Sequence, residues 1–422
     1  MMPMRDFAFG SWITTVAVMA SLCTAVVAAP TAKHAPAQAT TQKKDAPKKD
    51  PAKKDEPNIS APHAILIDAD NGGVLFERDA DRLIFPASLA KLMTAEYVFN
   101  EVKEGRLKLT DEFMVSENAW RKGGAPSHGS TMFAAIYSKV PVDDLIHAMI
   151  IQSANDACII LAEGMAGSEA AFAEKLTQRA RAIGLEKSIF TNSNGLPDPA
   201  EQVTTRELGL LARHIIRTYP DFYQIFGKPD YTWNKIRQQN RNPLLGAMTG
   251  ADGLKTGFTK EAGYGLVGSA VQNGQRLIVV VNGVNTPKER ADEAKKLLEW
   301  GFRNFEQRVL FAEGQTIGTA KVFGGSTGRV SLVASDGAVR VLLPKAGGEK
   351  LIARIVYKGP VPAPVTEGTP VGNLKVWRND NLILSTPLKA SENIGKGNMS
   401  QRAFDAVTEM IIALFRAGAE RL

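Results

Sequence analysis

Cysteine is almost absent from this chain, which has only Cys23 and Cys158 among its 422 residues. Cys23 falls in an N-terminal segment that we expect to be removed on export, so no disulfide can form within the mature chain. Cys158 stands in the apolar run ACIILA, where a small buried side chain is expected rather than a reactive thiol. The sequence therefore predicts a protein that does not depend on disulfides.

Several common catalytic signatures are missing as well. The chain has no GxSxG nucleophile elbow, no HExxH zinc motif and no phosphate-binding loop, and its five histidines stand outside any protease signature. A Ser-His-Asp triad gains no support from this pattern, so a serine nucleophile would need a base other than histidine. We expect neither a metal ion nor an organic cofactor.

Positive charge is only slightly in excess where the chain is expected to fold. The formal net charge is +7, of which residues 1–62 carry +3 and the remaining 360 residues carry +4. A nucleic-acid-binding protein concentrates positive charge in its folded part. Nucleic acid is therefore not an expected partner.

The N-terminal segment has the pattern of a secretory signal peptide. Arg5 precedes a long apolar run, and the small residues Val27 and Ala29 suit a cleavage site after Ala29. We assign residues 1–29 to the signal peptide, with an uncleaved N-terminal anchor as the alternative. Residues 30–57 are rich in Lys, Ala, Pro and Asp and are predicted to be a disordered tether.

The periodicity of apolar residues divides the remaining chain into three parts. Residues 58–306 combine a hairpin at Asn71-Gly72-Gly73, a long helical region, a second hairpin at Asn273-Gly274 and a further helix. This order indicates one α+β unit whose sheet joins segments distant in sequence. Residues 307–390 consist of short alternating strands and predict a small all-β module, and residues 396–422 predict one amphipathic helix.

The stretch PASLAKLMT places Ser88 and Lys91 three positions apart at a helix start. Residues at this spacing share a helix face, so the Lys91 amine can reach the Ser88 hydroxyl. A partly buried amine near other cations has a lowered pKa and can act as a general base. Taken alone, however, the stretch is better explained by a capping serine and a solvated lysine.

Two further segments supply groups that suit this chemistry. Ser153-Ala154-Asn155 begins 65 positions after Ser88, inside the predicted helical region 142–166, and offers a hydroxyl for proton relay and an amide for holding a carbonyl. Lys255-Thr256-Gly257 begins 102 positions later on a predicted strand. Its cation and hydroxyl can bind a carboxylate, and glycine lets another backbone approach closely. Each segment is a weak signal alone, and their order and spacing carry the prediction together.

The trio SxxK, SxN and KTG is the motif set of β-lactamases and penicillin-binding proteins. Over residues 58–422 the chain resembles the low-molecular-mass penicillin-binding proteins of the D-alanyl-D-alanine carboxypeptidase family. The segments GGAPSHGSTMF, SIFTNSNGLPDP and KKLLEWGFRNFE match that family too. The resemblance implies an α+β transpeptidase-like domain with helices around an antiparallel sheet. A small all-β domain and the amphipathic helix would follow it.

The resemblance also implies a role for each motif residue. Ser88 would attack the carbonyl between the two terminal D-alanines of a peptidoglycan stem peptide while Lys91 takes its proton, and water would later hydrolyse the acyl-enzyme. Ser153 would pass the proton to the leaving amine, and Asn155 would bind the substrate amide. The groups expected to bind the substrate carboxylate and the oxyanion are Lys255, Thr256, Gly257, Arg290 and the backbone N–H groups of Ser88 and Phe258.

Several questions stay open from the sequence. Ala154 and Phe258 stand where many family members have glycine and histidine, so a side-chain contribution of Phe258 to deacylation is in question. Arg290 could equally be a surface residue of a helix. The chain has no ExxLN segment, so β-lactams are expected to be covalent inhibitors rather than good substrates. The alternative functions are a D,D-endopeptidase, a β-lactamase and a penicillin-binding cell-wall protein without turnover.

The C-terminal helix predicts where the protein acts. Its apolar residues fall within one arc of the helix, but six charges between residues 400 and 421 make a membrane-spanning position costly. A helix of this kind is expected to lie in the membrane interface, on the periplasmic face of the inner membrane. The alternative is packing on the protein itself or on a second copy. The arc contains Phe404, Val407, Ile411, Leu414 and Phe415.

Overall fold

The computed structural model describes residues 14–16, 56–347, 350–378 and 381–419. The predicted signal peptide and tether therefore lie almost entirely outside the described residues. From the signal peptide only strand β1 (Thr14–Val16) is described, and it pairs antiparallel with a strand of the C-terminal domain.

A five-stranded antiparallel sheet forms the centre of the first domain, and both predicted hairpins are part of it. In chain order the strands of this domain are β2 (His63–Asp68), β3 (Val74–Arg78), β4 (Glu112–Met114), β5 (Lys139–Pro141), β6 (Asp230–Trp233), β7 (Ile236–Gln239), β8 (Ala251–Thr259), β9 (Gly263–Gln272) and β10 (Gln275–Val284). The central sheet has the order β3-β2-β10-β9-β8, which leaves β8 at an edge, while β4-β5 and β6-β7 form separate small hairpins.

Eight α-helices accompany this sheet within the described residues 56–347. Several begin at a serine or threonine whose side-chain oxygen accepts a hydrogen bond from a backbone N–H of the first turn, as Ser116, Ser168, Thr204 and Thr286 do. The helices are α1 (Lys91–Lys103), α2 (Glu117–Lys122), α3 (Val142–His147), α4 (Asn155–Ala166), α5 (Glu169–Ala182), α6 (Thr205–Thr218), α7 (Pro220–Tyr223) and α8 (Pro287–Asn304).

Both faces of the central sheet are buried. Side chains alternate between the two faces of a strand, so Ile65 and Ile67 of β2 pack with the helical layer that contains α1, α4 and α6, while Leu66 packs with α8. The two cores explain why β2 and β10 have nearly continuous apolar sequences rather than an apolar and polar alternation.

The helical region between Val142 and Ala166 differs from its prediction. It is interrupted after α3 by a single π-helical turn, Ala148–Gln152, and then by Ser153, whose φ of 64° is left-handed. A new helix, α4, starts at Asn155. Apolar periodicity continues across this break because the residues on both sides are buried, and it therefore conceals the interruption.

The second domain is all-β, as predicted. Its strands are β11 (Phe305–Phe311), β12 (Gly318–Phe323), β13 (Arg329–Ala334), β14 (Val339–Pro344), β15 (Leu351–Tyr357), β16 (Val361–Pro362), β17 (Pro370–Arg378) and β18 (Asn381–Ala390). Six of these strands join β1 in a sheet of order β1-β15-β17-β18-β13-β12-β16, whereas β11 and β14 form a separate two-stranded sheet. A separate apolar core that includes Leu332, Leu374 and Leu388 lies within this domain.

The chain described here ends in helix α9 (Met399–Ala419), close to the prediction of 396–422. Polar contacts hold it on the second domain: Lys321 of β12 pairs with Glu409 at 2.6 Å, and the N–H of Gly324 donates to Asp405 at 2.8 Å. Among the described residues, no helix combines the length and apolar character that crossing a membrane requires.

Candidate active site

Ser88 lies in a tight turn that leads directly into α1. Residues Ala87–Ala90 form a 3-10 turn, and Lys91 is the first residue of the helix. At this spacing the Lys91 Nζ lies 2.9 Å from the Ser88 Oγ. Leu89, which lies between the two residues, and Leu92, which follows Lys91, are fully buried. Packing therefore fixes the turn, while Ser88 remains partly accessible. The sequence prediction that these two groups meet is thereby confirmed.

Lys91 is held by groups from two distant parts of the chain. Its ammonium donates to the side-chain oxygen of Asn155 at 2.9 Å and to the backbone carbonyl of Asn194. The side chain is 1% exposed. Burial disfavours the charged amine and lowers the pKa of Lys91 to about 8, well below the ordinary lysine value. A lysine with this pKa is partly neutral near pH 8 and can accept the proton of Ser88.

Ser153 and Asn155 stand at the break between the π turn and α4. The left-handed backbone at Ser153 turns its hydroxyl into a buried position, and the Oγ has no hydrogen-bond partner among the described residues. The backbone N–H of Asn155 donates to the Ser130 carbonyl at 2.7 Å, which ties the break to the loop that precedes β5. A hydroxyl free of structural hydrogen bonds is suited to relaying a proton.

Asp156 fixes this same loop and was not identified from the sequence. Its buried carboxylate accepts hydrogen bonds from the Thr131 hydroxyl at 2.6 Å and from the Met132 N–H at 3.0 Å. Burial nevertheless raises the pKa of Asp156. The loop that bears Ser130 is therefore anchored to the residue next to Asn155.

Lys255 and Thr256 lie on a strand, as predicted; this strand, β8, is at the edge of the central sheet, and both side chains are buried. Burial lowers the pKa of Lys255 well below the ordinary value, and the nearby charges of Lys91 and Arg241 lower it further. Arg241 was not identified from the sequence, and it donates to the Ser130 hydroxyl at 2.7 Å. Arg241 and the protonated forms of the two lysines create a positive potential in which an anionic group of a substrate is stabilised.

Gly257 permits a close approach between β8 and the turn before α1. A Cβ built there would lie 3.0 Å from the Pro86 carbonyl oxygen and 3.0 Å from Leu89 Cγ, so a side chain does not fit without displacement. This contact brings β8 against the turn that carries Ser88. The Ser88 and Phe258 N–H groups predicted to form an oxyanion hole belong to the two segments that meet at this contact, the turn before α1 and β8.

Phe258 and Arg290 both contact the ring of Tyr264 at the end of β8. The Phe258 ring is 49% exposed and stacks on its cross-strand partner Tyr264, with ring centroids 4.0 Å apart. The Arg290 guanidinium lies 5.6 Å from the Tyr264 ring centroid, and burial lowers the pKa of Arg290. Arg290 is therefore not an ordinary exposed helix residue, because it is held beside the ring that supports Phe258.

The loop 191–201 overlaps the family-matching segment SIFTNSNGLPDP (188–199), but none of its residues was predicted to belong to the site. Gly195 has a φ of +78°, and a Cβ on it would lie 1.8 Å from the Ala87 carbonyl oxygen. The loop therefore packs directly on the nucleophile's turn. It contributes the Asn194 carbonyl to Lys91, and it ends at the buried carboxyl group of Glu201.

Cys158 is confirmed as a buried residue. It is 0% exposed, and burial raises the pKa of its thiol to about 12. The protonated thiol donates to the Ala154 carbonyl at 3.3 Å. A thiol in this state is a poor nucleophile, so Cys158 does not compete with Ser88.

Comparisons with known proteins agree with this site and fold. The family model described as D-alanyl-D-alanine carboxypeptidase matches residues 50–286, and that of the penicillin-binding protein 5 C-terminal domain matches residues 305–396. D-alanyl-D-alanine carboxypeptidase DacC of Escherichia coli (strain K12) is 39% identical, with 83% of this chain and 88% of the relative covered. DacA of Haemophilus influenzae is 35% identical, and the match covers 85% of this chain and 91% of the relative.

Solved structures show the same similarity. Penicillin binding protein 5 from Haemophilus influenzae superposes with a TM-score of 0.71 at 35% identity, covering 81% of this chain and 99% of that one. Penicillin-Binding Protein D2 from Listeria monocytogenes, in its ampicillin-bound form, gives a TM-score of 0.51 at 33% identity. The match covers 58% of this chain and 99% of that one. The chain therefore belongs to the D-alanyl-D-alanine carboxypeptidase family and is a hydrolase of the penicillin-binding protein type.

Proposed function

We propose that this protein removes the terminal D-alanine from peptidoglycan stem pentapeptides through an acyl-enzyme on Ser88. The observation that carries the proposal is the 2.9 Å contact between Lys91 Nζ and Ser88 Oγ, made by a buried amine whose pKa is lowered to about 8. The family matches over both domains support the same function. They favour it over the endopeptidase and β-lactamase alternatives.

Acylation would use the groups around Ser88 as follows. Neutral Lys91 accepts the hydroxyl proton while the Ser88 oxygen attacks the carbonyl of the penultimate D-alanine. The backbone N–H groups of Ser88 and Phe258 stabilise the oxyanion, and one such donor contributes about 3 kcal/mol to the transition state. Ser153 relays the proton taken up by Lys91 to the departing amine of D-alanine, so Lys91 is neutral again when the acyl-enzyme has formed. Proton transfers of this kind contribute about 10²–10⁴ in rate.

Substrate binding would depend on the cations and the amide of the site. Lys255 and Thr256 receive the terminal carboxylate, with Arg290 as a further cation near the end of β8. Asn155 holds the substrate amide with the part of its side chain that does not contact Lys91. Water then hydrolyses the acyl-enzyme and releases the shortened peptide.

β-Lactams are expected to acylate the same serine. The Listeria relative whose structure was solved with ampicillin supports this expectation. Release of free D-alanine from a synthetic stem pentapeptide tests the proposed activity, and its absence with the wild-type protein would contradict it. Labelling with a fluorescent penicillin tests the nucleophile, because Ser88→Ala should abolish the label. A label that persists in Ser88→Ala would overturn the assignment.

We further propose that the protein is exported and acts at the periplasmic face of the inner membrane, attached through α9. Cleavage after Ala29 would remove β1 along with the signal peptide. The side of α9 away from its polar contacts has Phe404, Val407 and Met410 at 73%, 52% and 60% exposure. An exposed apolar stripe of this kind suits insertion into a membrane interface. The side chains of Ile411, Leu414 and Phe415 lie outside the described residues.

Membrane fractionation tests this location. The full-length protein is expected in the membrane fraction, and a chain that ends at residue 398 is expected to be soluble. The double variant Phe404→Glu and Val407→Glu is the matched control, because it keeps the helix length and removes only the apolar stripe. Unchanged membrane association of both variants would contradict the proposed attachment.

A further inference from the structure

The backbone around Ser153 combines two conformations that are disfavoured on their own. Helix α3 ends at His147, residues Ala148–Gln152 form the π turn, and Ser153 follows with its left-handed φ of 64°. A π turn is a rare structure that is found mostly at functional sites, and a left-handed backbone is unfavourable for a residue with a Cβ. The contacts that hold both ends of this segment therefore determine where the Ser153 hydroxyl lies.

His147, the last residue before the π turn, is held at both of its ring nitrogens. The side chain is buried. Its Nδ1 lies 2.9 Å from the backbone carbonyl oxygen of Asp143, and because a carbonyl oxygen only accepts, Nδ1 carries the ring proton. Nε2 is then the acceptor for the Lys228 amine, whose Nζ lies 2.8 Å away. The imidazole is thus fixed in one neutral tautomer between α3 and the segment that leads into β6.

Tyr231 of β6 holds the same end of α3 at two further points. Its ring stacks on the His147 imidazole, with ring centroids 5.3 Å apart and ring planes inclined by 24°. Its hydroxyl donates a hydrogen bond to the Asp144 carboxylate. The last turn of α3 is therefore attached to β6 through a ring, through a hydroxyl and, by way of Lys228, through the residues just before the strand.

The same hairpin also holds the chain beyond Ser153. Strands β6 and β7 pair with each other, and Arg241 follows β7 directly in the chain. Arg241 donates to the Ser130 hydroxyl at 2.7 Å, and the Ser130 carbonyl accepts a hydrogen bond from the N–H of Asn155 at 2.7 Å. One hairpin thus links His147, which precedes the π turn, to Asn155, which follows it.

We propose that His147 is a positioning residue for Ser153. Held by Lys228 and Tyr231, it keeps the π turn in place and thereby keeps the Ser153 hydroxyl where it reaches the departing amine. The inference rests on the proposed function, in which Ser153 relays a proton from Lys91 to that amine. Loosening the contact of His147 with Lys228 slows the step that needs this proton, and it leaves steps that need no such proton nearly unchanged.

Two substrates that differ only in their leaving group test the inference. One is a stem pentapeptide, whose D-alanine leaves as an amine and needs a proton, and the other is its thioester analogue, whose thiolate leaves without one. His147→Leu offers no acceptor to Lys228. It should lower kcat/KM for the peptide about tenfold and that for the thioester by less than about twofold. Equal losses for both substrates would overturn the inference, because they indicate a general disturbance of the site.

Lys228→Met removes the same hydrogen bond from the other side. Lys228 is exposed, so this variant keeps the test valid if His147→Leu does not fold. It should lower the ratio of the peptide kcat/KM to the thioester kcat/KM about threefold. Lys235→Met is the matched control and should leave the ratio unchanged, because Lys235 is also exposed and lies in the turn of the same hairpin. If the two lysine variants give the same ratio, the contact with His147 does not position Ser153.

A double-mutant cycle separates this inference from the proposed function. The measured quantity is the rate constant for labelling of Ser88 by a fluorescent penicillin, whose lactam nitrogen takes up a proton when the ring opens. Lys228→Met should slow labelling about threefold in the wild-type background. It should have no effect in the Ser153→Ala background, because it acts only through Ser153. This outcome supports the inference even if the protein releases no D-alanine. A loss of equal size in both backgrounds would overturn the inference even if D-alanine is released.

Discussion

The two domains of this protein bury different kinds of side chain. Within the described residues, the buried polar and charged side chains all lie between Asp68 and Glu293, in the first domain. The core of the second domain consists of aliphatic side chains with one tyrosine. Burying a charged group is costly unless it is paired. The first domain bears this cost, and around Ser88 burial lowers the pKa values of Lys91 and Lys255, whereas the core of the second domain holds no buried charged side chain among the described residues.

The largest expected effect is the loss of the base in the first domain. Lys91→Met should lower kcat/KM for D-alanine release by about 10²–10⁴, because in the part of the chain that the structure describes no other basic side chain is hydrogen-bonded to Ser88. Lys91→Arg is the matched control for charge, and it should be nearly as inactive because a guanidinium stays protonated. If Lys91→Arg keeps more than about a tenth of the activity, then Lys91 acts by its charge rather than as a base.

A substitution in the core of the second domain is expected to lower stability while leaving the activity nearly unchanged. Leu374 of β17 is 1% exposed, and Leu374→Ala should lower the free energy of unfolding by about 2–5 kcal/mol through the cavity it creates. Urea denaturation followed by tryptophan fluorescence measures this loss. The activity of the folded protein towards the pentapeptide should stay within about twofold of wild type. A large fall in kcat/KM would show that the second domain shapes the active site.

A change of pH is expected to have a smaller effect on kcat/KM, and this effect arises from groups of the first domain. Lys91 must be neutral to accept a proton, so kcat/KM should rise with pH and level off above the lowered pKa of about 8. Between pH 6 and pH 8 the neutral fraction grows about 50-fold. The carboxyl of Glu201 has a pKa of about 8 as well, so its effect on the pH dependence of kcat/KM must be separated from that of Lys91.

The Glu201→Gln variant makes this separation. The rise of kcat/KM near pH 8 should persist in it, shifted somewhat to lower pH, because the charge of Glu201 raises the pKa of Lys91. A profile that becomes flat in Glu201→Gln would assign the titration to the carboxyl group instead.

Much of this arrangement could be predicted from local sequence patterns. The contact of Ser88 with Lys91 needs only helical spacing, and the position of Lys255 on a strand follows from a hairpin signal just after it, whereas the place of that strand at the sheet edge is visible only in the structure. The break at Ser153 could not be predicted, since buried residues continue the apolar periodicity on both sides of it. Arg241, Asp156 and Glu201 were missed because isolated charged residues carry no motif.

The sequence by itself determined the two-domain organisation, the three motifs and the family. The tertiary structure decided which distant groups meet them. Lys91 contacts Asn155 and Asn194, which follow it by 64 and 103 positions, and no local pattern encodes such contacts. It also decided the chemistry of the site, because the pKa of a lysine depends on how completely other parts of the chain exclude water from it. For Lys91 and Lys255 that burial is nearly total.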